Sequence, residues 1–278
     1  MLSYRHSFHA GGFADVIKHS VVVEILQHLV TKSRPFDYID THAGAGLYNL
    51  KSGQAVKLQE YRNGIGKLSA DAFPELTAYL AIVKKYNEPG ALNYYPGSPL
   101  IAEHFLRAHD RSWLFELHPA DFTLLRAQCA AHRRVRVMQK DGFKGLLSLL
   151  PPISRRALVL MDPAYEVKTD YENVFETLVR AHRKFSTGIY ALWYPVVDRR
   201  RIDELEKKFI TSGINRIQLF ELGVSGDTHG AGLSAAGMIV VNPPWLLLDK
   251  MQTLLPRLMT ALAVQDDAFF HCRVLAGD

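Results

Sequence analysis

The chain has 278 residues, 48% of them hydrophobic and 22% charged, proportions ordinary for a globular protein with a sizeable core. Thirty-three Lys and Arg stand against 28 Asp and Glu, a surplus that permits a polyanionic partner without establishing one. No run approaches the roughly 18 apolar residues of a membrane span, the N-terminus lacks a signal peptide's apolar centre, and Cys129 and Cys272 have neither metal nor redox spacing, so a cytoplasmic protein is expected.

The first unusual stretch is YRHSFHAGGFADVIKHS, which places Tyr4, Arg5, His6, His9, Lys18 and His19 within sixteen residues. His6 and His9 have no second ligand pair nearby, so no metal is expected. A basic, aromatic segment that helps hold a nucleotide is one reading, and a solvated tail the other. Residues 13–32 read as a leading helix.

From residue 36 onward, apolar runs alternate with amphipathic segments. FDYID (36–40), SWLFEL (112–117), VRVMQ (135–139), ALVLMD (157–162) and GIYALWY (188–194) read as strands. Helical patterns lie between them at 99–109, 119–132, 142–149 and 170–185, with a further helix near 199–212. Apolar strands alternating with helices imply a parallel sheet covered on both faces. RIQLFEL (216–222) and AAGMIVV (235–241), joined by a Gly-rich loop, read as a terminal antiparallel pair. Five parallel strands followed by such a pair is the plan of a class I, Rossmann-like methyltransferase sheet: α/β, mostly parallel, with an antiparallel last strand. Residues 48–97 break the rhythm with two helix-like segments bounded by Gly, Ser and Pro. They read as an inserted helical subdomain, leaving 1–47 and 98–278 as the main domain. The insertion's Arg62, Lys67, Lys84 and Lys85 read as solvated cations that are open to RNA contact.

Four of the strands end near an acid. Asp40 precedes Thr41-His42-Ala43-Gly44-Ala45-Gly46, where glycines permit a tight turn and close approach of a ligand. A dinucleotide site prefers G-x-G-x-x-G opening into a helix, which is absent; an acid four residues before the first Gly suits a cationic aminoacyl group. Glu116 can take both hydroxyls of a ribose, Asp141 can accept from an adenine amino group, and Asp162 ends the fourth strand. Any one acid at such a place is often only a helix cap. All four on one sheet edge, with the glycine loop, point to S-adenosylmethionine.

The sequence LVLMDPAYEV (158–167) carries the reactive group. An adenine amino group is a poor nucleophile because its lone pair is delocalised. A carboxylate and a rigid carbonyl that accept its two N–H bonds favour a pyramidal nitrogen, and an aromatic face holds an extruded base. Asp162, the carbonyl of Pro163 and the ring of Tyr165 supply these parts. Asn242-Pro243-Pro244-Trp245 fits the pattern [DNS]-P-P-[YFW] more closely, but it follows the last strand and opens an apolar helix. Asp162 is therefore the expected centre. Ala164, where a second proline would stiffen the loop, implies a slower or more temperature-sensitive enzyme. Basic clusters at HRRVR (132–136), SRR (154–156), HRK (182–184) and DRRR (198–201) are either solvated faces or polyanion contacts.

With these motifs in place, the chain resembles the bacterial large-subunit ribosomal RNA adenine-N6-methyltransferase J family. MLSYRHSFHAGGFADVIKH, DTHAGAG, YYPGSPLIA, ELHP, DGF, DPAY, TGIYALWYPVV and AAGMIVVNPPW resemble family motifs in the family's order and span nearly the whole chain. The resemblance implies S-adenosylmethionine-dependent methylation of one adenosine in 23S rRNA. It matches His19, His42, Ser98, Glu116, Asp141, Gly142 and Asp162 to cofactor-binding positions, to which the glycine loop adds Gly44. It matches Asp162 to the catalytic residue, and Tyr4, His6 and Lys18 to a segment that contacts the substrate. Ala164 replaces the family's second proline, and Gly12 and Phe13 stand where it carries an Asn-His pair. A monomer without metal or membrane contact is expected. The alternatives are a DNA adenine methyltransferase, separable only through 2′-OH contacts, and a nucleic-acid-binding protein of reduced activity, which touches an older family label linked to use of external DNA. A nicotinamide-dependent oxidoreductase on a similar sheet is disfavoured by the loop spacing and Asp-Pro-x-Tyr.

Overall fold

A computed structural model describes residues 5–166, 169–226 and 233–277. In chain order the elements are α1 (Phe13–Val30), β1 (Asp37–Asp40), β2 (Leu47–Asn49), α2 (Ala55–Leu58), α3 (Glu60–Asn63), α4 (Thr77–Lys85), β3 (Tyr94–Pro96), α5 (Ser98–Glu103), β4 (Arg111–Phe115) and α6 (Pro119–Gln128). There follow β5 (Val135–Met138), α7 (Gly142–Leu149), β6 (Ala157–Met161), α8 (Asp170–Lys184), β7 (Ile189–Val196), α9 (Arg199–Ile210), β8 (Ile217–Gly223), β9 (Ala235–Val241), α10 (Leu247–Leu262) and β10 (Phe269–Ala276).

Eight strands form one sheet in the order β10-β8-β9-β7-β6-β1-β4-β5. The five from β7 to β5 are parallel, β9 runs antiparallel between β7 and β8, and β10 pairs antiparallel with β8. This is the α/β plan expected, with an edge strand added that the sequence reading did not place. The continuous apolar run of β6 has the predicted cause. Leu158 and Leu160 enter one core layer while Val159 and Met161 enter the other, all fully buried, as a strand covered on both faces requires.

One layer contains α1, which is no loose tail. Val16, Ile17, Val21, Val22, Ile25 and Leu26 are fully buried, as are Asp15, Lys18 and His19. The helix is covered on all sides, so its polar residues must find partners inside the fold. The layer opposite is built on α7, α8 and α9 through Leu146, Val174, Leu178, Ile202 and Phe209.

Residues 48–97 carry short helices, and their ends are tied by a two-stranded ribbon of β2 and β3, pairing Leu47 with Pro96. Their Ile65, Leu76, Tyr79 and Ile82 join the same core layer as α1. Among the described residues, no helix is long and apolar enough to cross a membrane.

Candidate active site

The parallel strands deliver their C-terminal loops to one edge, where an open α/β sheet binds ligands. A cavity of about 380 Å³ lies there, within the size range of small-molecule sites. His19, His42, Gly44, Ser98, Glu116, Asp141, Gly142, Asp162 and Pro163 line it, together with His6 and Lys18 from the N-terminal segment. Residues drawn from six separate stretches of chain thus meet in one cavity. Tyr4 lies outside the described residues.

The loop after β1 is shaped for close approach. Gly44 has φ +65°, and its N–H donates to Glu116 Oε2 at 2.8 Å. A Cβ on Gly142 would stand 1.8 Å from the carbonyl oxygen of Thr41, so the start of α7 packs on the β1 loop only because that side chain is absent. Glu116 also accepts from the His118 N–H at 2.7 Å. Burial raises its carboxyl above the ordinary range, although both backbone N–H groups pull the other way. Asp141 Oδ1 caps α7 by accepting from the Phe143 and Lys144 N–H groups at 2.9 and 3.1 Å. It is both cap and wall, since the residue lines the cavity as well.

Asp40 departs from the sequence reading. It is fully buried and absent from the cavity wall, so it does not meet a cationic ligand group there. Its Oδ2 accepts from Tyr38 Oη and Ser98 Oγ, each at 2.7 Å, and its Oδ1 accepts from the His42 N–H at 3.2 Å. Burial pushes its carboxyl up to about 6 against those bonds. Asp40 therefore braces the loop that carries His42.

Two histidines in the wall are held neutral. Burial lowers His42 to about 4 and His19 to about 3. One ring nitrogen of His19 shares a 2.5 Å hydrogen bond with Tyr95 Oη, while its Nε2 is buried without a partner. An orphaned polar atom in a cavity wall invites a polar ligand group, since leaving it unmet is costly. The open wall at Gly44 and Gly142, the carboxylates of Glu116 and Asp141 and this nitrogen together fit a nucleoside with an amino-acid arm.

At the loop after β6, Lys18 Nζ donates to Asp162 Oδ2 at 2.7 Å and stands 2.8 Å from Asp15 Oδ1. Burial would lower the lysine, but the two carboxylates outweigh it and keep it protonated. Asp15 Oδ2 in turn bonds His6 Nε2 and the Gly11 N–H, both at 2.9 Å. Sequence reading missed Asp15, although an Asp and a Lys three apart on one helix form a recognisable pair. The insertion fastens this segment from outside: His9 bonds Glu60 at 2.9 Å, and Ile65 N–H donates to the Gly11 carbonyl at 2.9 Å. Arg5 lies by His118 and Asp121.

Tyr165 is not in the cavity wall. It has φ +52°, its hydroxyl donates to the Trp193 carbonyl at 2.7 Å, and its ring lies on Tyr171 at 4.5 Å. A left-handed non-glycine residue is held at some cost, so these contacts fix the loop's path. The rival Asn242 is at the wrong edge. It follows β9, which runs against β7, and register puts it level with Ile189, near the strand starts. Asp162 lies level with Trp193 by the β6–β7 register, four residues or about 13 Å further along. Asn242 Nδ2 donates to the Ser186 and Gly188 carbonyls, each at 2.8 Å. Among the described residues, no group of three or more metal-ligating side chains converges.

Comparison with known proteins identifies the family. The family model described as "RsmJ: Ribosomal RNA large subunit methyltransferase D, RlmJ" matches residues 33–271. The chain is 50% identical over 264 residues to the ribosomal RNA large subunit methyltransferase J of Escherichia coli (strain K12), covering 94% of each chain. It is 44% identical over 265 residues to the protein of the same name from Haemophilus influenzae (strain ATCC 51907 / DSM 11121 / KW20 / Rd), again covering 94% of each. The crystal structure of protein LPL1258 from Legionella pneumophila str. Philadelphia 1 superposes with a TM-score of 0.87 at 32% identity, covering 96% of this chain and 98% of that one. The chain belongs to the family of ribosomal RNA large subunit methyltransferases J, enzymes that methylate ribosomal RNA with S-adenosylmethionine.

Proposed function

We propose that this chain methylates N6 of one adenosine in 23S rRNA at the loop that follows β6. The observation that carries the reading is the 2.7 Å bond from Lys18 Nζ to Asp162 Oδ2 in the wall of the cavity. The carboxylate already accepts an N–H donor there, as it must from a substrate amine. Asp162 and the Pro163 carbonyl take the two amino hydrogens of the base, favouring a pyramidal nitrogen. The proton released after transfer is held at Asp162, so no strong base is needed beforehand, and positioning dominates the rate. Tyr165 sets the loop's path through Trp193.

When bound, S-adenosylmethionine supplies an electrophilic methyl group on a sulfonium centre. Glu116 would hold its ribose hydroxyls, Asp141 its adenine amino group, and His19, His42, Ser98 and the backbone at Gly44 and Gly142 the remainder. His6 and Lys18, with Tyr4, would meet the nucleotide. In this reading 1–47 and 98–278 are the methyltransferase domain, and the inserted 48–97 anchors the N-terminal segment over the cavity. The named cavity residues all come from this chain, which supports a monomer, and ribosomal RNA as substrate supports a cytoplasmic enzyme. The test is nucleoside mass spectrometry of unmodified 23S rRNA after incubation with enzyme and donor. N6-methyladenosine at one position is expected; a 2′-O-methyl or carbon-methyl product would overturn the assignment.

A further inference from the structure

The catalytic cavity is a poor place to attract a nucleic-acid backbone. Its wall carries Glu116, Asp121, Asp141, Asp162, Glu166 and Asp170, and Lys18 is spent on two carboxylates. RNA affinity rests largely on phosphate neutralisation by cations. Of the four basic clusters in the sequence, only 198–201 lies at the catalytic edge. There Arg199 pairs with Glu221, and Arg200 and Arg201 pair with Asp198.

The other clusters lie at the opposite edge, where the parallel strands begin. Arg34 precedes β1, Arg111 opens β4, Arg133 precedes β5, Arg155 precedes β6 and Arg183 precedes β7. Arg216 precedes β8, which runs with β7 because β9 is antiparallel to both. All six arginines are exposed. In sheet order, β8 to β5 spans six strand spacings, or about 29 Å at roughly 4.8 Å each. Of the acids at this edge, Asp37 and Asp110 are buried and bonded to Trp113 and Arg107, respectively; Glu103 pairs with His132 and Glu24 with Lys250, and Asp249 is exposed. The cations crowd one another. Burial lowers Arg156 below its ordinary value, Arg107 and Arg34 add to the shift and Asp110 opposes it; burial, then Lys32, Arg156 and Lys250, lower His28.

Two further features point to a ligand. Arg155 and Arg216 have φ +54° and +56°, the left-handed region where glycine fits without strain. The sequence keeps a guanidinium at both. The Asn242-Pro243-Pro244-Trp245 turn, unused by the catalytic site, ends at this same edge and is rigid. The Asn242 amide clamps two carbonyls, Arg216 reaches the Pro243 carbonyl at 3.4 Å, and Trp245 is 74% exposed. A tryptophan on a fixed turn beside arginines is a stacking platform for a base.

We propose that this edge is a second ribosomal RNA contact, in which the arginine row follows a phosphate backbone and Trp245 stacks on an unpaired base. It rests on ribosomal RNA being the substrate, and lies about 20 Å from Asp162 along β6, so a large RNA engages both.

The test measures binding of the full-length enzyme to unmodified 23S rRNA across a salt series, with methyl transfer read in parallel. The variant Arg133→Ala/Arg155→Gly/Arg183→Ala removes three exposed cations, and its glycine suits the left-handed backbone at position 155, so Tm should stay the same or rise. The slope of log affinity against log salt should fall by about two to three, at about 0.7–0.9 per phosphate contact, with Kd and KM rising about tenfold or more. Trp245→Ala should weaken binding at least about fivefold. Affinity for S-adenosylmethionine and kcat at saturating RNA should not change. Kd and slope within twofold of wild type in both variants would overturn the proposal. So would an equal loss in Lys84→Ala/Lys85→Ala, two exposed lysines on α4, because the number of charges rather than their place would then decide. Failure of the N6 assignment would show separately, as a different methylated product from the wild-type enzyme.

Discussion

Lys18→Met should cost stability as well as activity, and the structure sets the scale. Lys18 is 4% exposed at its side chain and stands between Asp15, 1% exposed, and Asp162, 14% exposed. Removing one partner from a buried ionic cluster leaves uncompensated charge and costs about 3–5 kcal/mol, a large part of a usual total of about 5–15 kcal/mol. At about 2–4 °C per kcal/mol for a chain near this size, Tm should fall by about 6–20 °C. The pH dependence gives the sharper check. Burial would raise the Asp15 carboxyl, but His6 and Lys18 outweigh it and hold it well below its ordinary range. Its contribution is therefore present above the unfolded carboxyl value of about 3.9 and is lost only as pH falls through the lower folded value. Without Lys18 the folded value rises, and protonated Asp15 needs less compensation. The Tm deficit should be largest near pH 8 and shrink toward pH 5, read by thermal denaturation of both proteins across that range. A deficit below 2 °C, or one independent of pH, would refute the account of this cluster.

Gly142→Ala forces a Cβ against the Thr41 carbonyl, so cofactor affinity by calorimetry should fall at least about tenfold; an unchanged Kd would mean the two loops are free to part. Ala164→Pro should raise the rate or its temperature tolerance, by about two- to fivefold if fixing one φ contributes about 0.4–1 kcal/mol, and an unchanged or lower rate would remove the stiffening argument. His42 and His19 are neutral in the fold, with values of about 4 and 3, whereas the unfolded chain takes up protons near 6.5. Stability should accordingly fall as pH drops from about 6.5 toward 4, opposed in part by Asp40, which is raised to about 6 and gains stability over the same window. His42→Gln should flatten that acid limb in a Tm-versus-pH series; an unaltered limb would contradict a buried neutral imidazole.

The parallel half of the fold was legible because its strands are unbroken apolar runs whose ends carry acids and glycines. The edge strand β10 was not, since FFHCRVLA is half-buried along most of its length and shows no clean alternation. The three-residue strands β2 and β3 are too short to display a period. Lys18 and His19 looked like parts of a polar tail because their partners, Asp162 and Tyr95, lie 144 and 76 residues away. Asp40 was legible as a strand-end acid but not in its direction, which depends on Tyr38 and Ser98 lying beneath the loop. The Asn242 motif, set aside in the sequence because it follows the last strand read there, lies apart from the cavity for a topological reason. β9 runs antiparallel to β7, so a good motif at its end arrives at the edge without the cavity.

The central claim is that Asp162, in an Asp-Pro-Ala-Tyr loop, is where the methyl group is transferred. The measurement that tests it most directly is transfer of labelled methyl from S-adenosylmethionine to unmodified 23S rRNA by wild type, Asp162→Ala and Asn242→Ala, with cofactor affinity measured on each. The account predicts label on one adenosine with wild type, none with Asp162→Ala despite retained cofactor binding, and near-normal label with Asn242→Ala. Retained transfer by Asp162→Ala, or its loss in a folded, cofactor-binding Asn242→Ala, would contradict it.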